Sequence, residues 1–197
     1  MNRPMLDARP HLSPDMEALR PAPSGTFRRA PTRRVLTRPD PRLAQPSREV
    51  DPRDPAVVAL AKVLVATMSA SPGCLGLAAP QLGEMLRVVC VDVTDHAEAR
   101  SCAGLVVLAN PRVVARAGNV VMVEDCASVP HLTGPVARAA AVTVEGVVPG
   151  TTQLVRVKAD GIEARRLLHE IDHLDGHVFA DWMLEASGNL GSRTWYA

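Results

Sequence analysis

Aromatic side chains are scarce in this sequence of 197 residues: two Phe, two Trp and one Tyr make up 3% of it. That shortage argues against a surface that stacks nucleic-acid bases on rings. An excess of one charge is also missing, with 22 Lys and Arg against 21 Asp and Glu. A globally basic nucleic-acid binder and an acidic disordered chain are both excluded on that balance. No apolar run reaches the roughly 18 residues of a membrane helix, because even the richest stretch, Ala56 to Met68, carries Lys62. The four cysteines, Cys74, Cys90, Cys102 and Cys126, follow no secretory signal pattern, so individual thiol chemistry is a better expectation than a disulfide framework. What remains is a chain 47% hydrophobic, enough for one sizeable core and of a length that suits one domain.

The overall balance hides a basic opening segment. Residues 1 to 50 hold ten Arg, no Lys, five acids and nine of the 17 prolines. A stretch such as RPHLSPDMEALRPAPSG offers no helical or strand period long enough to bury a face. Residues 1–32 are therefore expected to form a disordered extension, 33–184 the folded domain and 185–197 a C-terminal tail. Three roles compete for the extension: a tail without function, an electrostatic contact with an anionic surface such as ribosomal RNA, and an organelle-targeting peptide. Its prolines and acids argue against the last.

Clear punctuation opens a helix at Asp54, which suits a cap, followed by Pro55 at the first helical position and by Val57, Leu60, Leu64 and Met68 at helical spacing. It is expected to stop near Ser71-Pro72-Gly73. The middle of the chain then changes period. The short Val-rich runs LRVVCVDV (86–93), LVVLAN (105–110), NVVMVED (119–125), AAVTVEG (140–146) and TQLVRVKA (152–159) are separated by Gly, Pro or Asn and read as strands. After Gly161 helical spacing returns, with Ile162, Leu167 or Leu168, Ile171 and Leu174 on one stripe and Gly176 as a C-cap. This order predicts an α+β fold in which the C-terminal helix packs on antiparallel or mixed sheets of short strands.

That helix carries His169, Glu170, Ile171, Asp172 and His173. Two imidazoles four residues apart stand on one helical face about one turn from each other, which suits two ligands of one divalent metal. Glu170 sits off that line, close enough to handle a proton without ligating. A solvated polar face that matches HExxH by chance is the alternative, and a third ligand decides between them. His177 follows Gly176 and reads as a surface residue. Cys126 is the best third candidate, since a chain turning out of a sheet at EDCASVP can present a thiolate, although a lone Cys at a strand end is usually a small buried hydrophobe. Cys90 and Cys102 keep that plainer reading. Cys plus two His leaves one position open on a tetrahedral metal, as hydrolysis requires. A third cluster, CLGLAAPQLG (74–83), is too apolar for a phosphate loop; its small residues permit close backbone approach, and the Gln81 amide could donate to an oxyanion.

Taken in order, GLAAPQLG, EDCASVP and HEIDH followed by LDGHVFAD resemble the three motifs of the peptide deformylases. The resemblance extends to VLTRPDPRL (35–43) and the helix ending TMSASPG, and so covers about residues 33 to 184. It implies a metallohydrolase that removes the N-formyl group from the initiator methionine of new bacterial or organellar chains. By resemblance, Cys126, His169 and His173 are the ligands and Glu170 is the general base and then acid. The Gln81 amide and the Ala127 backbone N–H join the metal in holding the oxyanion, and the Gly76 carbonyl accepts the N–H of the formylated methionine. One divalent ion is implied, Fe²⁺ most naturally, with Zn²⁺, Ni²⁺ or Co²⁺ able to replace it. Implied too are formyl-methionyl nascent peptides as partners and the bacterial cytoplasm as location; a monomer is expected, the basic opening segment suggests contact with the ribosome, and composition speaks against a membrane or a specific nucleic-acid sequence.

Several positions depart from the family pattern. Cys74 stands where the loop usually has its first Gly, Asp125 and Ala127 turn EGCLS into EDCAS, Leu168 replaces a common Gln, and Trp182 a common Arg. If the chain is extended at 125 to 127, alternation points Asp125 and Ala127 away from the Cys126 side, so Asp125 is not expected to ligate. The changes at Asp125 and Ala127 motivate a second reading, a metal-loaded paralogue of little turnover that binds formyl-peptides or hydroxamate-type inhibitors. An HExxH peptidase is a third.

Overall fold

The computed structural model describes residues 31–183, together with Met16, Leu19 and the backbone of Gly191–Ser192. Helix α1, Pro55–Ala70, begins as its sequence dictates: the Asp54 side chain accepts the Ala56 N–H at 2.8 Å, and Pro55 needs no donor in the first turn. It ends where Ser71 turns extended and returns its N–H to the Met68 carbonyl.

Eight strands follow. Strands β1 (Gly76–Ala78), β2 (Val88–Val91), β3 (Val106–Ala117), β6 (Ala141–Val147) and β7 (Leu154–Asp160) form a five-stranded antiparallel sheet in the order β1-β2-β3-β6-β7. A second sheet contains β4 (Val120–Asp125), β5 (Leu132–Arg138) and the two-residue β8 (Gly191–Ser192). Helix α2, Gly161–Leu174, completes the α+β fold that the order of periods predicts.

The period of two explains why β2 and the start of β3 are apolar at every position. Val89, Val91, Val106 and Leu108 point into a core shared with Ala164, Leu167, Leu168, Ile171 and Leu174 of α2. The intervening Val88, Cys90 and Val107 point the other way, into a core built with Val57, Leu60, Leu64 and Met68 of α1. Each helix thus covers one face of the same sheet, and continuous Val runs mark a strand buried on both sides. Cys126, Val136 and Phe179 form a small third cluster beside the second sheet.

One strand end and two whole strands differ from the sequence expectation. Asn110-Pro111 reads as the end of a strand, yet β3 passes through it. Asn110 adopts a left-handed φ of 50° and its amide clamps both backbone groups of Val50, while the pairing with β6 shifts register there. The dipeptide makes a bulge, where Asn tolerates positive φ and Pro has no ladder bond to lose. Strand β5 was hidden because Gly134-Pro135 looks like a turn. A Cβ at Gly134 would meet the end of the Met183 side chain, which would have to move aside. Strand β1 was hidden by its length of three residues.

Two residues of the segment expected to be a disordered extension are described, and both are buried, Met16 against the α2 core and Leu19 against the α1 core. The remainder of that segment lies outside the described residues. So does the expected tail, except where Gly191 and Ser192 pair with Thr133 and Leu132.

The two-faced core sets a stability test. Leu64 is fully buried on α1, so Leu64→Ala should lower the free energy of unfolding by about 2–5 kcal/mol in urea titration, with Val114→Ala on the exposed end of β3 within about 0.5. A loss under about 1 kcal/mol at Leu64 would count against the close packing of α1 on the sheet.

Candidate metal centre

Helix α2 brings His169 and His173 to the sheet edge because its apolar stripe faces the core. Glu163 anchors its first turn, accepting from Ser101 Oγ and the Ala103 N–H, both at 2.6 Å. Gly176, just past the C-cap Asp175, has φ +83°, and a Cβ there would press on the Ala44 carbonyl group at 3.0 Å. Close approach as well as conformation therefore calls for glycine at the helix end.

The ligand atoms of Cys126, His169 and His173 lie within 4.8 Å of one another, all buried. Cys126 Sγ is 3.2 Å from His173 Nε2. Burial alone would raise the thiol, but the charges of His173 and His169 reverse this and hold it well below its ordinary range. For His169 burial works downward, and the Cys126 thiolate with the Glu124 carboxylate overcomes it, pushing the imidazole up to about 10. A buried thiolate beside two imidazoles is a donor set that suits a divalent metal, which takes the place of the imidazole proton. Asp125 is not among the three candidate ligands.

Behind the ligands lies a group that motif reading did not single out. Glu124 accepts from His169 Nδ1 at 2.9 Å, from Arg138 through Nε at 2.5 Å and Nη2 at 2.9 Å, and from Arg165 Nη1 at 2.5 Å. Burial opposes its charge, yet the hydrogen bond from His169 and the Arg138 guanidinium hold the carboxyl far below the usual range. Arg138 also reaches Asp172 at 2.6 Å on the same helix. With Nδ1 committed to Glu124, His169 is left with Nε2 for a metal. Alternation could have found this residue, since Glu124 shares the face of Cys126, and Arg165 lies four residues before His169. Arg138 gives no such local signal; it depends on the pairing of β4 with β5.

Gln81 arrives from a short 3-10 turn, Ala79–Leu82, after β1. Its Oε1 accepts the Ala78 N–H at 2.9 Å, which aims Nε2 at Ser128 Oγ (3.1 Å) and Cys126 Sγ (3.7 Å). Ser128, also missed in the sequence, donates its own N–H to the same sulfur at 3.3 Å. Glu170 is buried, and burial pushes its carboxyl above the ordinary range. A Cβ on Gly76 would sit 2.6 Å from Glu170 Oε1. Glycine at 76 therefore makes room for the carboxylate. One cavity is lined by Gly76, Gln81, Cys126, Ala127, His169 and Glu170, so the loop, strand end and helix do converge; His173 belongs to the metal-ligand cluster but not to that lining.

The departures from the family pattern have local accounts. Cys74 donates its thiol to the Gly76 carbonyl at 3.1 Å, and burial first, with the Glu170 charge, pushes that thiol up to about 11. Asp125 has no positive φ and pairs with Arg166 at 2.9 Å, at the rim of the same cavity. Leu168 is core packing. Trp182 is exposed and lies against His177, both off the site.

Comparison with known proteins agrees with this geometry. The family model described as polypeptide deformylase matches residues 32–188. The peptide deformylase of Syntrophobacter fumaroxidans is 37% identical over 161 residues, 82% of this chain and 92% of that protein. That of Thermomicrobium roseum is 40% identical, covering 76% and 84%. Among solved structures, peptide deformylase from Ehrlichia chaffeensis matches with a TM-score of 0.73 at 31% identity over 79% of this chain and 89% of that one. The same enzyme in complex with actinonin gives 0.72 at 33%, over 78% and 90%.

The buried carboxylate behind His169 generates a direct test. Glu124→Gln should weaken metal affinity by about 10–100-fold, measured by competition with a chromophoric chelator, because the imidazole loses its charged acceptor. Unchanged affinity in a folded variant would remove Glu124 from the support of the ligand.

Proposed function

The chain belongs to the polypeptide deformylase family, and we propose from that premise that it is a metal-dependent hydrolase that removes the N-formyl group from the N-terminal formyl-methionine of newly made polypeptides. The observation that carries the reading is the convergence of a buried Cys126, His169 and His173 triad with Glu170 and Gln81 around one cavity.

Cys126, His169 and His173 would hold one divalent ion, Fe²⁺ by preference for this family, with Zn²⁺, Ni²⁺ or Co²⁺ as substitutes. Such an ion polarises a carbonyl and lowers the pKa of water from about 15.7 toward about 7. Around it the chain supplies proton transfer and positioning. Glu170 takes a proton from the attacking water and delivers one to the amine nitrogen as the formyl C–N bond breaks, so that formate and a free amino terminus leave. Its burial favours that duty, because a carboxylate raised above its ordinary range is a stronger proton acceptor than an exposed one. Gln81 Nε2 is fixed through its Oε1 and exchanges its Ser128 contact for the developing oxyanion. The Ala127 N–H is assigned as the second donor by family likeness. The Gly76 carbonyl receives the substrate N–H after the Cys74 thiol gives it up.

No helix among the described residues is long and apolar enough to cross a membrane. The reading takes the site of action to be the bacterial cytoplasm, with nascent chains as substrates, a monomeric enzyme, and contact with the ribosome as a role for the basic opening segment.

Glu170→Gln should keep the metal and lose about 10²–10⁴ in rate on a formyl-Met-Ala-Ser peptide. Gln81→Ala should lower kcat by about 10²–10³. A Glu170→Gln protein that keeps half of the wild-type kcat would sink the proton-transfer scheme. Full metal occupancy with no turnover in the wild type would favour the binding paralogue instead.

A further inference from the structure

The cavity beside the ligands has an unusual wall for a site that receives methionine. Among the described residues lining it, Leu75 alone has a hydrocarbon side chain longer than that of alanine, whereas Arg166 and Asp125 line it with charge. Arg166 Nη2 donates to Asp125 Oδ1 at 2.9 Å and its Nη1 to the Asp125 carbonyl at 3.3 Å, so the guanidinium ties α2 to the end of β4. Arg166 stands one turn before Glu170 on the same face of α2. The two side chains remain 19% and 25% accessible, which leaves the pair in contact with water.

The position of a substrate's first side chain follows from bond lengths. A formyl carbon within reach of Glu170 and Gln81 is separated from the first Cα by one nitrogen, about 2.5 Å away in all. The side chain on that Cα therefore starts at this cavity, within reach of its Arg166 and Asp125 wall. A hydrocarbon there strips water from the Arg166–Asp125 pair and returns no hydrogen bond, which is unfavourable for buried charge. A side chain ending in an acceptor replaces that water at the guanidinium N–H groups while the ion pair stays closed.

Resting on the deformylase reading, we infer that the Arg166–Asp125 pair makes this cavity select, among formylated chains, a first side chain ending in a hydrogen-bond acceptor over a hydrocarbon of the same length. Norleucine, methionine and methionine sulfoxide form a nearly isosteric series in which one methylene becomes a weak acceptor and then a strong one. Arg166 is thus a specificity-determining residue, and chains that begin with oxidised formyl-methionine are substrates.

The test uses formyl-X-Ala-Ser with X as norleucine, methionine or methionine sulfoxide, on the full metal-loaded chain. Turnover and, separately, Kd on Glu170→Gln protein are measured for each. Wild type should rank sulfoxide over methionine over norleucine in kcat/KM, with about tenfold or more between the ends, and the Kd series should follow the same order. Arg166→Leu should invert the ranking and Arg166→Lys should keep it with a smaller spread. A norleucine peptide equal to or better than the sulfoxide in the Kd series overturns the inference, as does an unchanged order in folded Arg166→Leu. Absence of turnover on all three peptides defeats the deformylase reading, and the Kd order still decides the selectivity.

Discussion

The Glu124 carboxylate is the constraint on which the rest of the site depends. It is buried and charged, and it is shared by His169, Arg138 and Arg165. These four side chains join β4, β5 and α2 at one point. A buried anion is tolerable only when its acceptor sites are filled, and here two guanidiniums and an imidazole fill them. The arrangement fixes the His169 ring and, because Cys126 directly follows the strand that carries Glu124, sets the thiolate beside it. Asp172 takes up the remaining reach of Arg138, so the helix face opposite the core is also held to the second sheet.

Much of this was legible because chemistry and period coincide. The HEIDH pentad lies on a helix whose apolar stripe is plain, and its two imidazoles fall on one face by helical geometry alone. Cys126 was legible as a candidate ligand once the helix demanded a third, and it lies in the cluster that could hold a metal. The Val runs of β2 and β3 announced strands, and their lack of alternation announced burial on both faces. What escaped was non-local or disguised. Arg138 reaches Glu124 only through the register of β4 on β5, and β5 itself was masked by Gly134-Pro135. Asn110-Pro111 signals a turn in any short window, and only the clamp on Val50 shows it to be a bulge. The burial of Met16 and Leu19 in two different cores had no signal in a segment so rich in Pro and Arg.

Several of the residues that line the cavity beside the three candidate ligands are polar. Asp125, Arg166 and Cys74 all line the cavity, and each makes a hydrogen bond that a bound peptide must respect or replace. The residues proposed for hydrolysis, Glu170, Gln81, Cys126 and His169, line the same cavity, and His173 joins Cys126 and His169 in the cluster that could hold a metal. In the proposed reading, reaction and selectivity fall to different residues of one small cavity.

The central claim is that Cys126, His169 and His173 form one three-ligand metal site held by Glu124. X-ray absorption at the zinc edge of the stoichiometrically loaded protein tests it most directly. The account predicts one sulfur at about 2.3 Å and two imidazole nitrogens at about 2.0–2.1 Å, with a remaining light-atom position. A first shell without sulfur, or with fewer than two imidazoles, would contradict it.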